Sequence, residues 1–159
     1  MELHRYFSNI RIKAIVLGVI SLFIFGVISS VIEFYLTGLL PNYSYSIKNP
    51  SNANTALDLF IGNNLALFTL ISIFTGLIKY VPSGFITAFI AKKAYVLHSI
   101  IIGIIASIFL LFSIIGEIEL YRSNYLLLLL ILNIILAILF CVIGSLIFKN
   151  LENRKNEAE

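Results

Sequence analysis

Four apolar stretches, each long enough to cross a lipid bilayer, constrain this chain more than any other feature. They cover residues 14–36, 65–90, 95–115 and 125–148. A membrane-spanning helix needs about 20 mostly apolar residues. Leu, Ile and Phe fill the stretches without the alternation of a lipid-facing barrel strand, which favours helices. The sequence therefore predicts an all-α membrane protein, in which residues 1–159 form one domain of four transmembrane helices in a compact bundle.

Composition supports this class and excludes others. The 159 residues are 60% apolar and 12% charged. A soluble domain has about a quarter of its residues charged, so the apolar excess is expected to face lipid. Cys141 is the single cysteine, so no disulfide can form within one chain and no Cys/His metal cluster exists. We expect no metal and no cofactor, and interpret Cys141 as a packing residue.

Basic residues are divided unequally between the two sides of the predicted bundle. One side has Lys48 and Arg122. The other side has Arg5, Arg11, Lys13, Lys92, Lys93, Lys149, Arg154 and Lys155. Because basic loops stay in the cytoplasm, the termini and the link at Lys92–Lys93 are predicted to be cytoplasmic. The expected location is the bacterial inner membrane, with the bilayer and not nucleic acid as partner.

The segments outside the four stretches have their own predictions. Residues 41–64 form a polar, turn-rich outer loop in which TALDLFIGNN could be a short interfacial helix capped by Thr55. Residues 149–159 form a cytoplasmic tail. The first stretch is too long for a signal peptide and lacks a cleavage site, so it is expected to remain as a helix. His98, which opens the third helix, is expected to contact headgroups or a loop.

Small residues recur along one side of each predicted helix. Membrane helices associate through close packing at such residues and through polar contacts. The first helix has the stripe Ala14, Gly18, Gly26 and Ser30. The residues predicted to pack helices are Gly18, Gly26, Gly76, Gly84, Gly103 and Asn133. Asn133 lies near mid-membrane and is expected to hydrogen-bond to another helix.

Two ionisable residues, Glu33 and Lys79, lie within the apolar stretches. A lysine near a helix centre costs about 2.5–3.5 kcal/mol to insert, and such residues usually face the interior as part of a pair or a pathway. Counting along the helices separates their Cα levels by about 10 Å, and both side chains lean to close that gap. Either the two form a salt bridge, directly or through water, or Glu33 lies in the outer headgroups and Lys79 extends outward.

Polar residues surround Lys79 on the second helix. Pro82 has no N–H, so a kink is expected, and Ser83 or Lys79 could donate to the freed carbonyl of Ile78. The candidate binding cluster is Lys79, Glu33, Tyr80, Ser83, Thr75 and Thr87. A lysine among hydroxyls suits a carboxylate, a phosphate or another anion, or a structural polar cluster. No catalytic residues are predicted, since no histidine, cysteine or carboxylate pair lies at matching depth.

The hairpin between the second and third helices carries a motif. SGFITAFIAKK, which begins at Ser83, is followed by Leu97-His98-Ser99 and Gly103. This stretch resembles small four-helix bacterial integral membrane proteins of unassigned function. In those proteins glycines stand at the positions of Ser83 and Ser99, and the resemblance covers about 20 of 159 residues. It implies a four-helix bundle with a hairpin packed through small residues, and it implies no activity.

The two halves of the chain share short similar segments. KAIVLG from Lys13 resembles KAYVLH from Lys93, and IEFY from Ile32 resembles IELY from Ile118. Parallel repeats of this kind are one known transporter design. Chance matches are the alternative, because the composition is strongly biased.

Three classes of function are open to such a chain. The first expectation is a small non-catalytic membrane protein, an accessory or interaction subunit that partners a second copy of itself or another membrane protein. The alternative is a solute or ion carrier that uses Lys79 as an anion-binding group in a kinked second helix. An integral membrane enzyme ranks third, because no catalytic constellation is visible.

Overall fold

The computed structural model describes residues 11–39, 63–115 and 124–158. These residues form four helices, α1 (Ile12–Gly38), α2 (Leu65–Ala91), α3 (Tyr95–Ile115) and α4 (Asn124–Ala158). All four are long and apolar enough to cross a membrane, and they pack together. The all-helical fold with four such helices is therefore confirmed. Nearly all of the predicted outer loop, its interfacial helix and the repeat segment from Ile118 lie outside the described residues.

The fourth helix continues well past the apolar stretch. It runs beyond residue 148 to Ala158, so the segment predicted as a tail is helical. Residues 149–158 are rich in Glu, Lys, Arg and Asn and contain no Gly or Pro, the two residues that most oppose a helix. The Tyr95 hydroxyl donates a 2.9 Å hydrogen bond to a carboxylate oxygen of Glu152. This contact joins the extension to the start of α3.

The helices pack unequally on their neighbours. α2 packs against both α1 and α4, and α3 packs mainly on α4. α1 contacts α3 much less, and α4 hardly at all. The side of the bundle between α1 and α3 is therefore the least closed.

The closest approach of two helices is between α2 and α4. A methyl group at Gly84 would overlap the backbone carbonyl of Cys141, and one at Gly144 would overlap the carbonyl of Val81. Backbones approach this closely only where side chains are absent, and such geometry permits Cα–H···O contacts. Gly84 was among the predicted packing residues, whereas Gly144 was not.

The other predicted glycines also lie at helix contacts. Gly18 is where α1 meets Thr87 of α2 and Ile102 of α3. The Cβ position at Gly103 is 2.7 Å from the Cα of Ile138, and that at Gly76 is 3.2 Å from the ring of Phe140. These glycines therefore set how closely the helices approach.

Asn133 differs from its expected role. Its side-chain amide donates a 3.0 Å hydrogen bond to the carbonyl of Leu129, which belongs to the same helix. A side chain four residues after a helical carbonyl can reach it locally. The expected bond from Asn133 to another helix is replaced by one within α4.

His98 is fully buried, so the expected headgroup contact is wrong, whereas its hydrogen-bond partners lie just outside the helices, as the alternative of a loop contact predicted. Its Nε2 accepts a 2.9 Å hydrogen bond from the backbone N–H of Arg11, and its Nδ1 lies 2.9 Å from the carbonyl oxygen of Ala94. Helix starts leave N–H groups without partners, and no side chain caps the start of α1 locally. His98 supplies that acceptor from α3.

Candidate functional site

A cleft of about 710 Å³ lies between α1 and α3, with one residue of α2 in its wall. The two helices touch at Gly18 and Ile102. They also touch through an edge-to-face pair of Phe23 and Phe109, whose ring centroids are 5.4 Å apart. Beyond these contacts the walls are mostly apolar. The cleft is open, since several of its wall residues remain exposed.

Lys79 reaches this cleft from α2 and is its charged wall residue. Its Cε lies 3.5 Å from where a Cβ of Gly26 would be, so its alkyl stem passes beside the bare backbone of α1. Its Nζ is 5.2 Å from the ring centroid of Tyr80, within the range of a cation–π interaction. The cleft therefore combines apolar walls with one half-buried ammonium group.

Glu33 lies on α1, two turns after Gly26, which places both residues on the same side of the helix. Its carboxylate and the Lys79 ammonium interact electrostatically, without a hydrogen bond between the two side chains. The direct salt bridge considered from the sequence is therefore not formed. The two opposite charges influence each other, but neither group is the direct hydrogen-bond partner of the other.

The hydroxyl groups of the predicted cluster do not face the cleft. Thr75, Ser83 and Thr87 are buried. Each donates to a carbonyl one turn earlier in α2: Ile71 at 2.9 Å, Lys79 at 2.7 Å and Ser83 at 2.7 Å. Among the described residues, every buried side-chain nitrogen or oxygen atom has a hydrogen-bond partner. These hydroxyls satisfy the backbone of their own helix and are not available to a ligand.

Tyr80 is also separate from the cleft. It is 2% exposed and packs in a core with Leu22, Ile102, Ala106 and Cys141, among others. The six predicted cluster residues thus divide into two groups. Lys79 lines the cleft, and Glu33 is an exposed residue of α1 outside the cleft wall, whereas the other four belong to the interior.

α2 continues as one helix through Pro82. The Ser83 hydroxyl donates to the carbonyl of Lys79, not to that of Ile78 as considered from the sequence. It also accepts a 3.4 Å hydrogen bond from the Ser21 hydroxyl of α1. The polar atoms around the proline therefore join α1 to α2.

Some cleft residues carried a sequence signal and others did not. Gly26 and Ser30 belong to the small-residue stripe of α1, whose first half packs against α2 while these two line the cleft. Phe23 and Phe109 could not be singled out, because exposed aromatic residues are ordinary in apolar helices. No three His, Cys, Asp or Glu side chains in the described part of the chain are grouped as a metal site.

Comparison with known proteins adds no assignment. No protein-family model, curated protein or solved structure matches this chain. The resemblance of the α2–α3 hairpin to small four-helix bacterial membrane proteins therefore stays a prediction. Functional inference rests on the geometry of the cleft.

Proposed function

We propose that this chain is a non-catalytic integral protein of a bacterial inner membrane that binds an anionic group at Lys79. Four helices of sufficient length and apolar character support insertion. The distribution of Lys and Arg supports cytoplasmic termini and a cytoplasmic α2–α3 link. In this orientation the cleft lies in the outer half of the membrane.

The observation that carries the proposal is the environment of Lys79. Inserting a lysine near the centre of a membrane helix costs about 2.5–3.5 kcal/mol. Its ammonium meets the face of Tyr80 and the remote charge of Glu33, and it forms no hydrogen-bonded ion pair with that carboxylate. An anion that enters the cleft would supply the missing direct partner. Retaining a charge at such a cost is typical of a binding position.

The walls of the cleft favour binding over chemistry. The hydroxyls of Ser83 and Thr87 donate to the backbone of α2, so the polar side chains in the cleft wall besides Lys79 are Ser30 and Tyr35. A cation and hydroxyl groups can hold a carboxylate or phosphate, and can release it during carriage across the membrane. They provide no nucleophile–base pair.

Binding of dodecyl phosphate to the full chain in detergent tests this proposal. Lys79→Met is expected to weaken binding about 10-fold or more, the usual loss for one charge-assisted hydrogen bond. Lys79→Arg keeps the charge and should bind within a few-fold of the wild type. Lys93→Met removes a charge from the exposed link and serves as the matched control. Unchanged affinity in Lys79→Met would contradict the proposal.

An accessory subunit is the second candidate, because α1 packs extensively against α2 but at only a few positions against α3. Val27, Val31 and Phe34 are 66%, 51% and 72% exposed along this helix. A helix of another membrane protein, or of a second copy, could cover the cleft and place a carboxylate at Lys79. The subunit role predicts a partner that co-purifies with the wild type and with Lys93→Met, but not with Lys79→Met. A lone chain that binds dodecyl phosphate would contradict it.

A further inference from the structure

The cleft between α1 and α3 is elongated along α1. Its wall residues on that helix run from Leu22 to Tyr35, which is about 20 Å at 1.5 Å per residue. On α3 the wall is formed by little more than one turn, with Ala106, Phe109 and Leu110. The long direction of the cleft therefore follows α1, and its two ends can be compared.

The end of the cleft near Leu22 is closed. The rings of Phe23 and Phe109 meet there edge to face, with their centroids 5.4 Å apart. Leu22 and Ala106, which also line this end, belong to the buried core of the bundle. A ligand cannot extend past this end without separating α1 from α3.

The opposite end of the cleft is open. Phe34 and Tyr35 form its wall there and are 72% and 69% exposed. Val27 and Val31, which line the cleft between the two ends, are also exposed. An apolar group can therefore lie along this side of α1 and leave the cleft toward the end of the helix.

The ammonium group of Lys79 lies near the closed end. Its Cε is 3.5 Å from the Cβ position of Gly26. Gly26 is four residues from Leu22 and nine from Tyr35, which is about 6 Å and about 13 Å along the helix. Ser30, one turn after Gly26 on the same side, is exposed and lines the cleft. Most of the apolar length of the cleft therefore lies beyond the groups that can hold an anion.

This polarity is the reverse of what a resident bilayer lipid needs. Such a lipid keeps its headgroup outside a hydrocarbon core about 30 Å thick, so its chains and not its charge would reach Lys79. A free inorganic anion would leave the apolar walls uncovered. The cleft volume of about 710 Å³ is within the range of about 300–1,000 Å³ found for sites of drug-sized ligands.

We propose that the ligand is a single-chain organic acid, with its phosphate or carboxylate at Lys79 and Ser30 and its apolar chain along α1 toward Tyr35. This inference rests on the proposed anion binding at Lys79. The acidic group gives the ammonium a direct partner, and the chain covers the apolar walls. All the protein groups that this arrangement uses line the cleft.

Four probes can test this on the full chain held in a non-ionic amphipol without free detergent. Radiolabelled dodecyl phosphate is bound directly, and ethyl phosphate, dodecanol and dilauroyl phosphatidic acid are used to displace it. They have a shorter chain, no charge and two chains, respectively. The probes are compared on the wild type, Lys79→Met and Val31→Trp. Ile28→Trp is the matched control, because Ile28 is an exposed residue of α1 outside the cleft wall.

The expected result depends on both the charge and the chain. Dodecyl phosphate should bind at least about 100-fold more tightly than ethyl phosphate, because each buried methylene is worth roughly four-fold. Dodecanol should bind about 10-fold or more weakly than dodecyl phosphate, since it lacks the charge-assisted contact. Dilauroyl phosphatidic acid should also bind more weakly than dodecyl phosphate.

The variants separate the charge from the chain. Lys79→Met should weaken the binding of dodecyl phosphate and of ethyl phosphate. Val31→Trp should weaken dodecyl phosphate about 10-fold, the scale of an overpacked contact, and leave ethyl phosphate unchanged. Ile28→Trp should bind both as the wild type does, and thermal unfolding shows that each variant is folded.

The other outcomes overturn either this inference alone or the proposed function with it. If ethyl phosphate binds as tightly as dodecyl phosphate and Lys79→Met weakens both, the chain is wrong while anion binding stands. If dilauroyl phosphatidic acid binds at least as tightly, the ligand is a two-chain lipid and the single-chain class is wrong. If Val31→Trp binds as Ile28→Trp does, the chain does not follow α1. If dodecanol binds as well as dodecyl phosphate and Lys79→Met changes nothing, both proposals fail.

Discussion

At the scale of single residues, the cleft depends on a pair of neighbours in different helices. Lys79 can lie beside α1 because Gly26 has no side chain, and the nearest Lys79 atom is 3.5 Å from the vacant Cβ position. That distance is an ordinary van der Waals contact, so a methyl group fits here, whereas a larger side chain would extend into the cleft. Gly26 therefore decides how much space the lysine and a ligand share.

Replacing Gly26 tests the space in the cleft while the charge of Lys79 stays unchanged. Gly26→Leu is expected to fill the cleft beside Lys79 and to weaken dodecyl phosphate binding about 10-fold or more, as expected when a charge-assisted contact is lost. Gly26→Ala adds only a methyl group and should bind like the wild type. The measurement is a binding titration in detergent, with thermal unfolding to show that both variants are folded. Equal binding by the Leu variant would show that the ligand does not occupy this part of the cleft.

His98 provides a second residue-scale prediction. His98→Leu fills the same space with an apolar side chain. It removes the Nε2 atom that accepts the 2.9 Å hydrogen bond from the Arg11 N–H. Leaving a buried donor without a partner costs about 1–3 kcal/mol, so the variant should unfold at a lower temperature. His98→Gln can present an oxygen near the position of Nε2 and should recover part of the loss. Equal melting temperatures for the wild type and His98→Leu would contradict the capping role.

At the scale of helices, the α2–α4 contact has a reciprocal form. Gly84 faces the backbone of Cys141, three residues before Gly144, and Gly144 faces the backbone of Val81, three residues before Gly84. α2 and α4 therefore meet in a nearly two-fold arrangement around the two glycines. Phe148 extends the contact toward the α2–α3 link, where its ring meets those of Phe85, Phe89 and Tyr95.

A methyl group at either glycine tests this contact. Gly84→Ala and Gly144→Ala each place a carbon against a backbone carbonyl, which cannot rotate away as a side chain can. Overpacking of this kind typically costs about 1–3 kcal/mol, so both variants should unfold earlier in a thermal or denaturant titration. Gly38→Ala is the control, because nothing lies within 4 Å of its Cβ position. Stability equal to that of Gly38→Ala would show that the helices are further apart than described.

The sequence predicted where the helices begin and end better than which side of each helix faces its neighbours. Apolar length was enough to place α2 and α3 within a residue of their ends, because both are bounded by the short link at Lys92. The continuation of α4 was missed because apolar length carries no information about a charged helical extension. The division of the predicted cluster between the cleft and the interior was missed as well, since adjacent residues differ by about 100° around a helix and sequence spacing does not show which side of a helix faces a neighbour.

At the scale of the whole molecule, the fold combines a partial symmetry with an opening. The reciprocal α2–α4 contact is what two parallel helix hairpins related by an axis along the membrane normal would produce. The flanking helices break this symmetry, because α3 also packs against α2 whereas α1 hardly meets α4. The cleft lies on the side where this packing is missing. The cleft is therefore a consequence of unequal helix packing and not of a local motif.

Which side of the membrane the cleft faces follows from the orientation of the chain. We predict that a membrane-impermeant maleimide labels Asn52→Cys in intact cells, and labels Asn156→Cys only after permeabilisation, because basic residues keep the termini in the cytoplasm. The native Cys141 is fully buried and should stay unlabelled in both, and the wild type serves as that control. Labelling of Asn156→Cys from outside would reverse the bundle. The cleft would then lie in the inner half of the membrane, and a ligand would have to reach it from that side.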